Sequence, residues 1–500
     1  MCGVFGIFDH PHAKILTIEG ISSLQHRGQD ACGLASYEFM NSRTAQRDYQ
    51  GRKIRIRKNK GLVSEVLTTE AVKDLNGTAY IAHVRWPTQG DDSTRNVQPH
   101  YTQCLSGRMA IVSNGDIVNM RALQQELAQH KVRIYSENDA EIISAQIHSQ
   151  ITLHDQSLVD AIRTSMSKIK GSYSALIMTE FELSLYAFRD PMGIRPLFIG
   201  TRDGKFCFAS ETCALQAIDA ELYVNEALGI YGEVPPGAIV QVSREGIHVY
   251  PGLPSQKRAF CIFEYIYFSR PDSIAPHFLH QGLSFQYCRE QLGAHMAKQD
   301  KQGQFDADIV VPVPKGGIPG ALGYANESGI PLAIGIIENP KLHGLRTFIE
   351  SDRKTRGKLA HKKYNFLKDI IRGKRVVVVD DSIVRGLTTG WVVSRLWEAG
   401  AREVHIRIPS PPYAFGCHYG VETRERNTLI AGRFVSDIDM HDTAVVSAKV
   451  GGAISRKQPT SLRYLSIAGM FKAIGIEQAD RRFCYACFNG QYPVPLEADQ

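Results

Sequence analysis

No stretch of the 500 residues approaches the roughly 18 consecutive apolar residues a membrane helix needs, and the first residues lack the charged, then apolar, layout of a signal peptide. Both absences lead us to expect a cytoplasmic protein with no membrane partner. Cysteine is scarce: 10 residues are too few for a disulfide scaffold, and in a reducing compartment any that cluster point to metal binding or catalysis. A strong charge of one sign is also missing. The net surplus of +7 suits phosphorylated small molecules and falls short of a nucleic-acid-binding surface. The run Lys53 to Lys60 reads as a solvated strand or hairpin.

What is present is more than one ordinary core holds, since 43% of the chain is hydrophobic, so two or three domains are expected. Up to residue 255 the apolar runs have strand length: Tyr80 to Val84, Met109 to Val112, Ser174 to Met178, Leu183 to Phe188 and Lys205 to Ala209. Met120 to His130 and Asp139 to Ile151 have helical spacing and should cover the sheets. The turn at Pro235, Pro236 and Gly237 and the stretch Pro251 to Pro254 place the end of this 2–255 domain. From 256 to 480 the pattern becomes strand, glycine-rich loop, helix: Asp308 to Val313 leads to Gly320 to Ser328. Arg375 to Val379 leads through 380–390 to a helix with Val392, Leu396 and Ala399 inward, ended by Gly400, before a strand at Glu403 to Ile408. That spells a parallel α/β sheet, whose ligands bind at the carboxyl ends of the strands. Residues 481–500 form a cysteine-bearing tail.

Cys2 follows Met1, so trimming the initiator puts a thiol and a free α-amine on one residue. Their ordinary pKa values, about 8.5 and about 7.7–8.0, make proton transfer between them nearly thermoneutral. Nucleophilic acyl transfer is the chemistry this favours. Cys2-Gly3-Val4-Phe5-Gly6-Ile7, Leu24-Gln25-His26-Arg27-Gly28-Gln29-Asp30, His83-Val84-Arg85-Trp86-Pro87-Thr88, Asn114-Gly115 and Asp139-Ala140-Glu141 together resemble the class II, N-terminal-nucleophile glutamine amidotransferases. With the run Arg189 to Leu197, they look most like the amidophosphoribosyltransferases. The resemblance implies an αββα glutaminase domain followed by a parallel α/β phosphoribosyltransferase domain. It also implies that Arg85 holds the glutamine α-carboxylate, that Asp139 holds its α-ammonium, and that Asn114 and the Gly115 N–H face the oxyanion.

Asp380, Asp381, Ser382, Ile383, Val384, Arg385, Gly386, Leu387, Thr388 and Thr389 follow a buried strand and precede a helix N-terminus. Backbone N–H groups and hydroxyls there suit a phosphate, and the paired acids suit ribose hydroxyls and a Mg²⁺ shell. The run resembles the phosphoribosyltransferase signature, which implies phosphoribosyl pyrophosphate as the substrate. Arg346-Thr347-Phe348-Ile349, Arg356, Lys363 and Asn365 match the family's mobile loop, with Lys363 placed for the leaving group. Lys315, Gly316 and Leu387 depart from the family's residues, and Asn339 to Gly344 departs from its spacing. A divergent paralogue acting on another phosphosugar and a non-catalytic nucleotide-binding regulator therefore stand as alternatives.

Cys484-Tyr485-Ala486-Cys487 could bind zinc, act in redox chemistry or be simply buried. Cys261 and Cys417 fall where the cluster-bearing branch of the family places ligands, although that branch often has a propeptide before its nucleophile. Four thiolates suit a [4Fe–4S] cluster or zinc equally well on chemistry alone; the resemblance favours iron in a structural role. It further implies a homotetramer and purine nucleotide effectors.

Overall fold

The structure is a computed structural model that describes residues 1–39, 52–87, 93–104, 107–254, 257–276, 282–301, 306–339, 363–434, 436, 442–455, 460–476 and 482–496. Arg346 to Ile349, Arg356, Thr88 and the boundaries expected at 255/256 and 480/481 lie outside the described residues.

Two antiparallel sheets are stacked in the first half. One has seven strands, in the order Glu221–Leu222, Phe198–Arg202, Lys205–Ala209, Gly3–Ile7, Ala79–Arg85, Ala31–Phe39 and Arg52–Lys60. The other has six, in the order Gly246–Tyr250, Ile239–Ser243, Leu185–Arg189, Gly171–Thr179, Gly107–Ile117 and His100–Cys104. Side chains alternate across each strand, so Val4 packs between the sheets with Ala110, Val112 and Leu176, while Phe5 and Ile7 meet the helix Ala13–Ser23. On the far face of the second sheet, Ile111, Ile177 and Phe188 meet the helices Met120–Gln129, Asp139–His154 and Leu158–Lys168. The layers run helix, sheet, sheet, helix. Ala79–Arg85 and Gly171–Thr179 are buried at every residue, which is why they read as largely apolar runs without a solvent-facing alternation. The basic run near Lys53 is the edge strand Arg52–Lys60.

In the second half, Ile309–Pro312, Arg375–Val379, Glu403–Ile408 and Thr460–Tyr464 form a four-stranded parallel sheet in chain order. Val310, Val377 and Val379 face the helices Phe285–Lys301 and Gly317–Ser328, and Val376, Val378, Val404 and Ile406 face Val392, Leu396, Val446 and Val450. The helix expected from Gly320 starts three residues earlier, because the Gly317 N–H already reaches Val313 O at 3.0 Å. The helix after Asp380 starts at Leu387, inside the segment read as loop. Leu183 and Ser184 precede their strand, which begins at Leu185.

The helices Phe285–Lys301 and Gly317–Ser328 touch backbone to backbone: a Cβ on Gly323 would lie 1.8 Å from Glu290 O, and one on Gly293 would lie 1.9 Å from Gly320 O. Asp300 anchors the first of them to the sheet, with its carboxylate accepting from Arg407, from Arg463 at 2.8 Å and from Tyr324 at 2.6 Å. Gly323→Ala should therefore force the helices apart and lower the stability of this half by about 1–3 kcal/mol, read as a lower urea midpoint. An unchanged midpoint would show that the contact yields freely.

Candidate active sites

The first strand's ladder begins at Gly3, paired with Val84, and leaves Cys2 just beyond it. Cys2 is buried. Its N–H donates to Asn114 Oδ1 at 3.3 Å, its carbonyl accepts from Arg27 Nε at 2.9 Å, and its thiol lies 3.5 Å from Trp86 O. The Asn114 Nδ2 is buried with no hydrogen-bond partner. Burial pushes the Cys2 thiol up, opposed by the terminal amine and Arg85, with Asp139 adding to the rise. The five sequence-assigned residues of this site, Cys2, Arg85, Asn114, Gly115 and Asp139, thus sit on one end of the sandwich: the Ala79–Arg85 strand end, the Gly107–Ile117 strand and the start of the Asp139–His154 helix.

Asp139 opens that helix after the cap residue Asn138. Its Oδ1 accepts from the Ala140 N–H at 2.9 Å, while its Oδ2 is buried without a partner. Burial and the nearby Asp116 push its carboxyl up to about 8. Asp116 is itself paired with Arg424 at 2.6 Å, a residue from the far half of the chain. Arg85, buried, lies 3.4 Å from Asp30. Behind them, Gln98 bridges Ser113 N at 2.7 Å and Asn138 Oδ1 at 3.1 Å, locking the cap in place.

The second constellation lies at the carboxyl ends of the parallel strands. Asp380 and Asp381 end the Arg375–Val379 strand, and the turn 382–386 leads to the N-terminus of the helix Leu387–Glu398, which begins with Thr388 and Thr389 in its first turn. Gly386 has φ 75°, the left-handed conformation that glycine adopts without strain. Burial pushes both carboxyls up, Asp381 to about 6, and Asp381's charge adds to the rise at Asp380. Ser382 Oγ donates to Asp381 at 2.6 Å. Lys363 lies 3.9 Å from Glu338, as does Lys315 at 3.8 Å. Ile383 is buried in the sheet's core, so it can offer only backbone groups to a ligand; Val384, half-buried, gives its carbonyl to Ile430 N at 2.9 Å.

The third constellation is the four cysteines. Phe260–Cys261 and Phe483–Cys484 pair as parallel strands, with Cys261 directly opposite Cys484. The Cys487 carbonyl accepts from Ala414 N at 3.0 Å and Phe415 N at 3.1 Å, and Tyr492 reaches Gly416 O at 2.6 Å, which ties the tail to the segment carrying Cys417. Cys261, Cys417, Cys484 and Cys487 line one cavity, walled by Ile194, Phe263, Tyr413 and Val421 and approached by Arg195. Burial pushes the Cys261 thiol up to about 11. Among the described residues, no group of three or more His, Cys, Asp or Glu side chains is arranged to hold a metal ion as it stands. The donors fit a thiolate-ligated group in kind, being four thiols around an enclosed, largely apolar space beside a cation.

A family model described as a glutamine amidotransferase domain matches residues 83–217, the span that holds Arg85, Asn114 and Asp139. Over the full length, the amidophosphoribosyltransferase of Rhizobium etli is 39% identical across 502 residues, 99% of this chain and 92% of its own. This chain belongs to the amidophosphoribosyltransferase family. A solved structure described as the allosteric regulatory enzyme of purine biosynthesis superimposes with a TM-score of 0.83 at 35% identity, covering 100% of this chain and 97% of its own. The glutamine phosphoribosylpyrophosphate amidotransferase of Bacillus subtilis, complexed with ADP and GMP, gives 0.82 at 34% identity, with 100% and 98% covered. The two-part architecture of glutaminase sandwich and transferase sheet is that of the amidophosphoribosyltransferases. So is the activity, which makes 5-phosphoribosylamine, glutamate and pyrophosphate from phosphoribosyl pyrophosphate, glutamine and water, the first step of purine biosynthesis.

Sequence reasoning quoted Arg27 and Arg195 inside motifs without giving either a task, and passed over Glu211, Glu264, Arg289, Asp116 and Arg424. Arg27 is buried between Glu211 and Glu264, and Arg195 donates to Tyr419 O at 2.7 Å. No periodic signal marks a buried ion pair whose members are hundreds of residues apart.

Proposed function

We propose that Cys2, with Met1 removed, is the nucleophile that takes nitrogen from glutamine, and that Asp380 to Thr389 hold the phosphoribosyl pyrophosphate that receives it. The observation that carries this is Asn114: one end of its amide holds Cys2 N, and the other, Nδ2, is buried beside it with nothing to donate to. A tetrahedral oxyanion formed at the glutamine side-chain carbon supplies that acceptor, with the Gly115 N–H as second donor. The thiol adds to the carboxamide carbon, its proton passing through the α-amine to the departing ammonia. Water then cleaves the thioester to glutamate, and ammonia displaces pyrophosphate at carbon 1. Arg85 pairs with the substrate α-carboxylate, and Asp139, whose Oδ2 has no partner, pairs with the α-ammonium.

At the transferase site, Asp380 and Asp381 take the ribose hydroxyls and the Mg²⁺ shell; the ion, when bound, neutralises charge developing on the pyrophosphate. The N–H groups and hydroxyls of 382–389 take the 5′-phosphate at a helix N-terminus. Lys315 and Lys363 lie 3.8 and 3.9 Å from Glu338, and the charge of Lys363 acts on Asp380, which supplies a cation beside this site for an anionic ligand. A Cβ on Gly316 would lie 1.8 Å from Asp381 Oδ2, so the departure at 316 gives its space to that carboxylate. Residues 2–255, 256–480 and 481–500 are the working units. The chain acts in the cytoplasm as a homo-oligomer and is under purine nucleotide control; the ADP and GMP of the Bacillus subtilis relative support the nucleotide control.

Cys261, Cys417, Cys484 and Cys487 would hold a [4Fe–4S] cluster that ties the tail to the domain junction and the transferase sheet, a reading supported by their shared cavity.

Purified protein given glutamine, phosphoribosyl pyrophosphate and Mg²⁺ should release glutamate and pyrophosphate in equal amounts. Cys2→Ala should lose glutamine use and keep ammonia-dependent synthesis, whereas replacing Asp380 and Asp381 with Asn should lose both. Retained glutamine use in Cys2→Ala would sink the nucleophile assignment. Glutamine binding to Cys2→Ala protein should depend on pH in a stated direction. Below pH 8 the Asp139 carboxyl is protonated and must ionise to meet the ammonium, so Kd should fall about tenfold per unit as pH rises from 6 to 8, then level off. Asp139→Asn should bind weakly at every pH; a Kd already independent of pH with Asp139 in place contradicts the pairing. Anaerobic preparations should be brown with about four irons per chain and should bleach and lose stability when chelated. Colourless protein carrying one zinc overturns the iron assignment.

A further inference from the structure

Glu264 is fully buried in a single π-helical turn, Glu264–Phe268, on the segment that follows Cys261. Its carboxylate accepts from both terminal nitrogens of Arg27, at 3.0 and 2.9 Å, and from Ser269 Oγ at 2.7 Å, and lies 3.6 Å from Arg195. Arg27 turns its remaining nitrogen, Nε, to the carbonyl of Cys2 at 2.9 Å. A guanidinium is a rigid planar fork, so fixing two of its corners fixes the direction of the third.

Once Met1 is gone, residue 2 is tethered to the chain on its carbonyl side alone, and its carbonyl lies outside the strand ladder, which starts at Gly3. A terminal residue in that position is disordered unless it is tied down. Among the described residues, Asn114 holds its nitrogen and Arg27 its carbonyl, while its thiol reaches Trp86 O at 3.5 Å. We propose that Glu264 is a positioning residue for the nucleophile, acting through Arg27, so that a carboxylate from the transferase half sets the geometry of the glutaminase centre. The Glu264 segment is pinned in turn by the buried Arg289, which donates to Tyr265 O at 2.8 Å, Ser269 O at 2.6 Å and Glu264 O at 3.2 Å. The charge of Arg289 also acts on Asp381, so one arginine braces this segment and faces the phosphoribosyl site. The inference rests on the reading of Cys2 as nucleophile.

The test compares initial rates with glutamine and with ammonium in the full-length protein. Glu264→Gln should lower kcat with glutamine by about tenfold or more, the scale of a small misplacement of a reacting group, while the KM for glutamine moves by less than about threefold because Arg85 and Asp139 are untouched. Ammonia-dependent synthesis in the same preparation should stay within about twofold and so reports intact folding. Should Glu264→Gln fail to accumulate, Ser269→Ala decides. It removes one hydrogen bond to the same carboxylate without stranding a charge, and should lower the glutamine kcat by about two- to fivefold. Combining Arg27→Lys with either variant should add little to Arg27→Lys alone, since both act along one route. An unchanged glutamine kcat, equal loss with both nitrogen sources, or additive effects in the double variant overturns the proposal. Cys2→Ala measured alongside keeps the two readings apart: glutamine turnover without Cys2 refutes the nucleophile, whatever Glu264→Gln does.

Discussion

Arg27 is a cation with no exposed side-chain surface, and the molecule is organised around keeping it charged. Burial works against that charge, but Glu264 and Glu211 outweigh it and hold the guanidinium protonated. Each carboxylate is committed elsewhere as well: Glu211 accepts from His26 at 2.8 Å, Arg270 N at 2.8 Å and Ser273 Oγ at 2.9 Å, and Glu264 from Ser269. Removing one member of such a group strands the others, commonly at about 3–5 kcal/mol. The network therefore acts as a single object, and residues from 26 to 273 are fixed relative to one another by it. Through Arg27, whose Nε holds the Cys2 carbonyl, the same network fixes Cys2 relative to the turn that carries Glu264.

A second cross-connection has the same character. Arg424 reaches from the segment after the Glu403–Ile408 strand to pair with Asp116 on the Gly107–Ile117 strand, while Ser172 Oγ and Arg195 both donate to Tyr419 O. Asp116 is the neighbour that, with burial, lifts Asp139, and Arg424 opposes it. The far half of the chain thus reaches the neighbours of Cys2 and Asp139, through the Glu264 carboxylate on Arg27 and through Arg424 on Asp116. The four-cysteine cavity lies between these connections, with Arg195 shared between its wall and Glu264.

Much of the architecture was legible, for a physical reason. Strands buried on both faces are mostly apolar, so Tyr80 to Val84 and Ser174 to Met178 declared themselves despite the buried His83 and Ser174, and Arg375 to Val379 and Glu403 to Ile408 matched to the residue. Helix starts were less legible where glycines precede them, as at Gly317 and Leu387, because the first turn depends on which N–H finds a carbonyl rather than on side-chain pattern. The helix Phe285–Lys301 was not read at all. Its inward residues include Arg289, Gly293 and Asp300, so the buried face carries a cation, a carboxylate and a gap where an apolar stripe is expected.

The candidate site divides along the same line. Residues whose chemistry is local, such as the Cys2 thiol, the paired acids at 380 and 381 and the Cys-x-x-Cys of the tail, are legible because residue type and spacing state the chemistry. Residues whose part comes from a partner are not. Cys261 and Cys417 were reached only through the family resemblance, because nothing in their neighbours in sequence says that a two-residue parallel ladder will set Cys261 against Cys484, or that the Cys487 carbonyl will bind the backbone at Ala414 and Phe415. Glu264 is the extreme case. In sequence it is one acid among aromatic residues, a setting that favours neither charge nor burial, and it acquires its character only when Arg27 arrives from 237 residues away. A lone buried carboxylate would take up a proton; this one is held below the usual carboxylate range because Arg27 and Arg195 outweigh the burial. Its charge is a property of the assembled fold, which is why it connects the two halves and why only the folded structure reveals it.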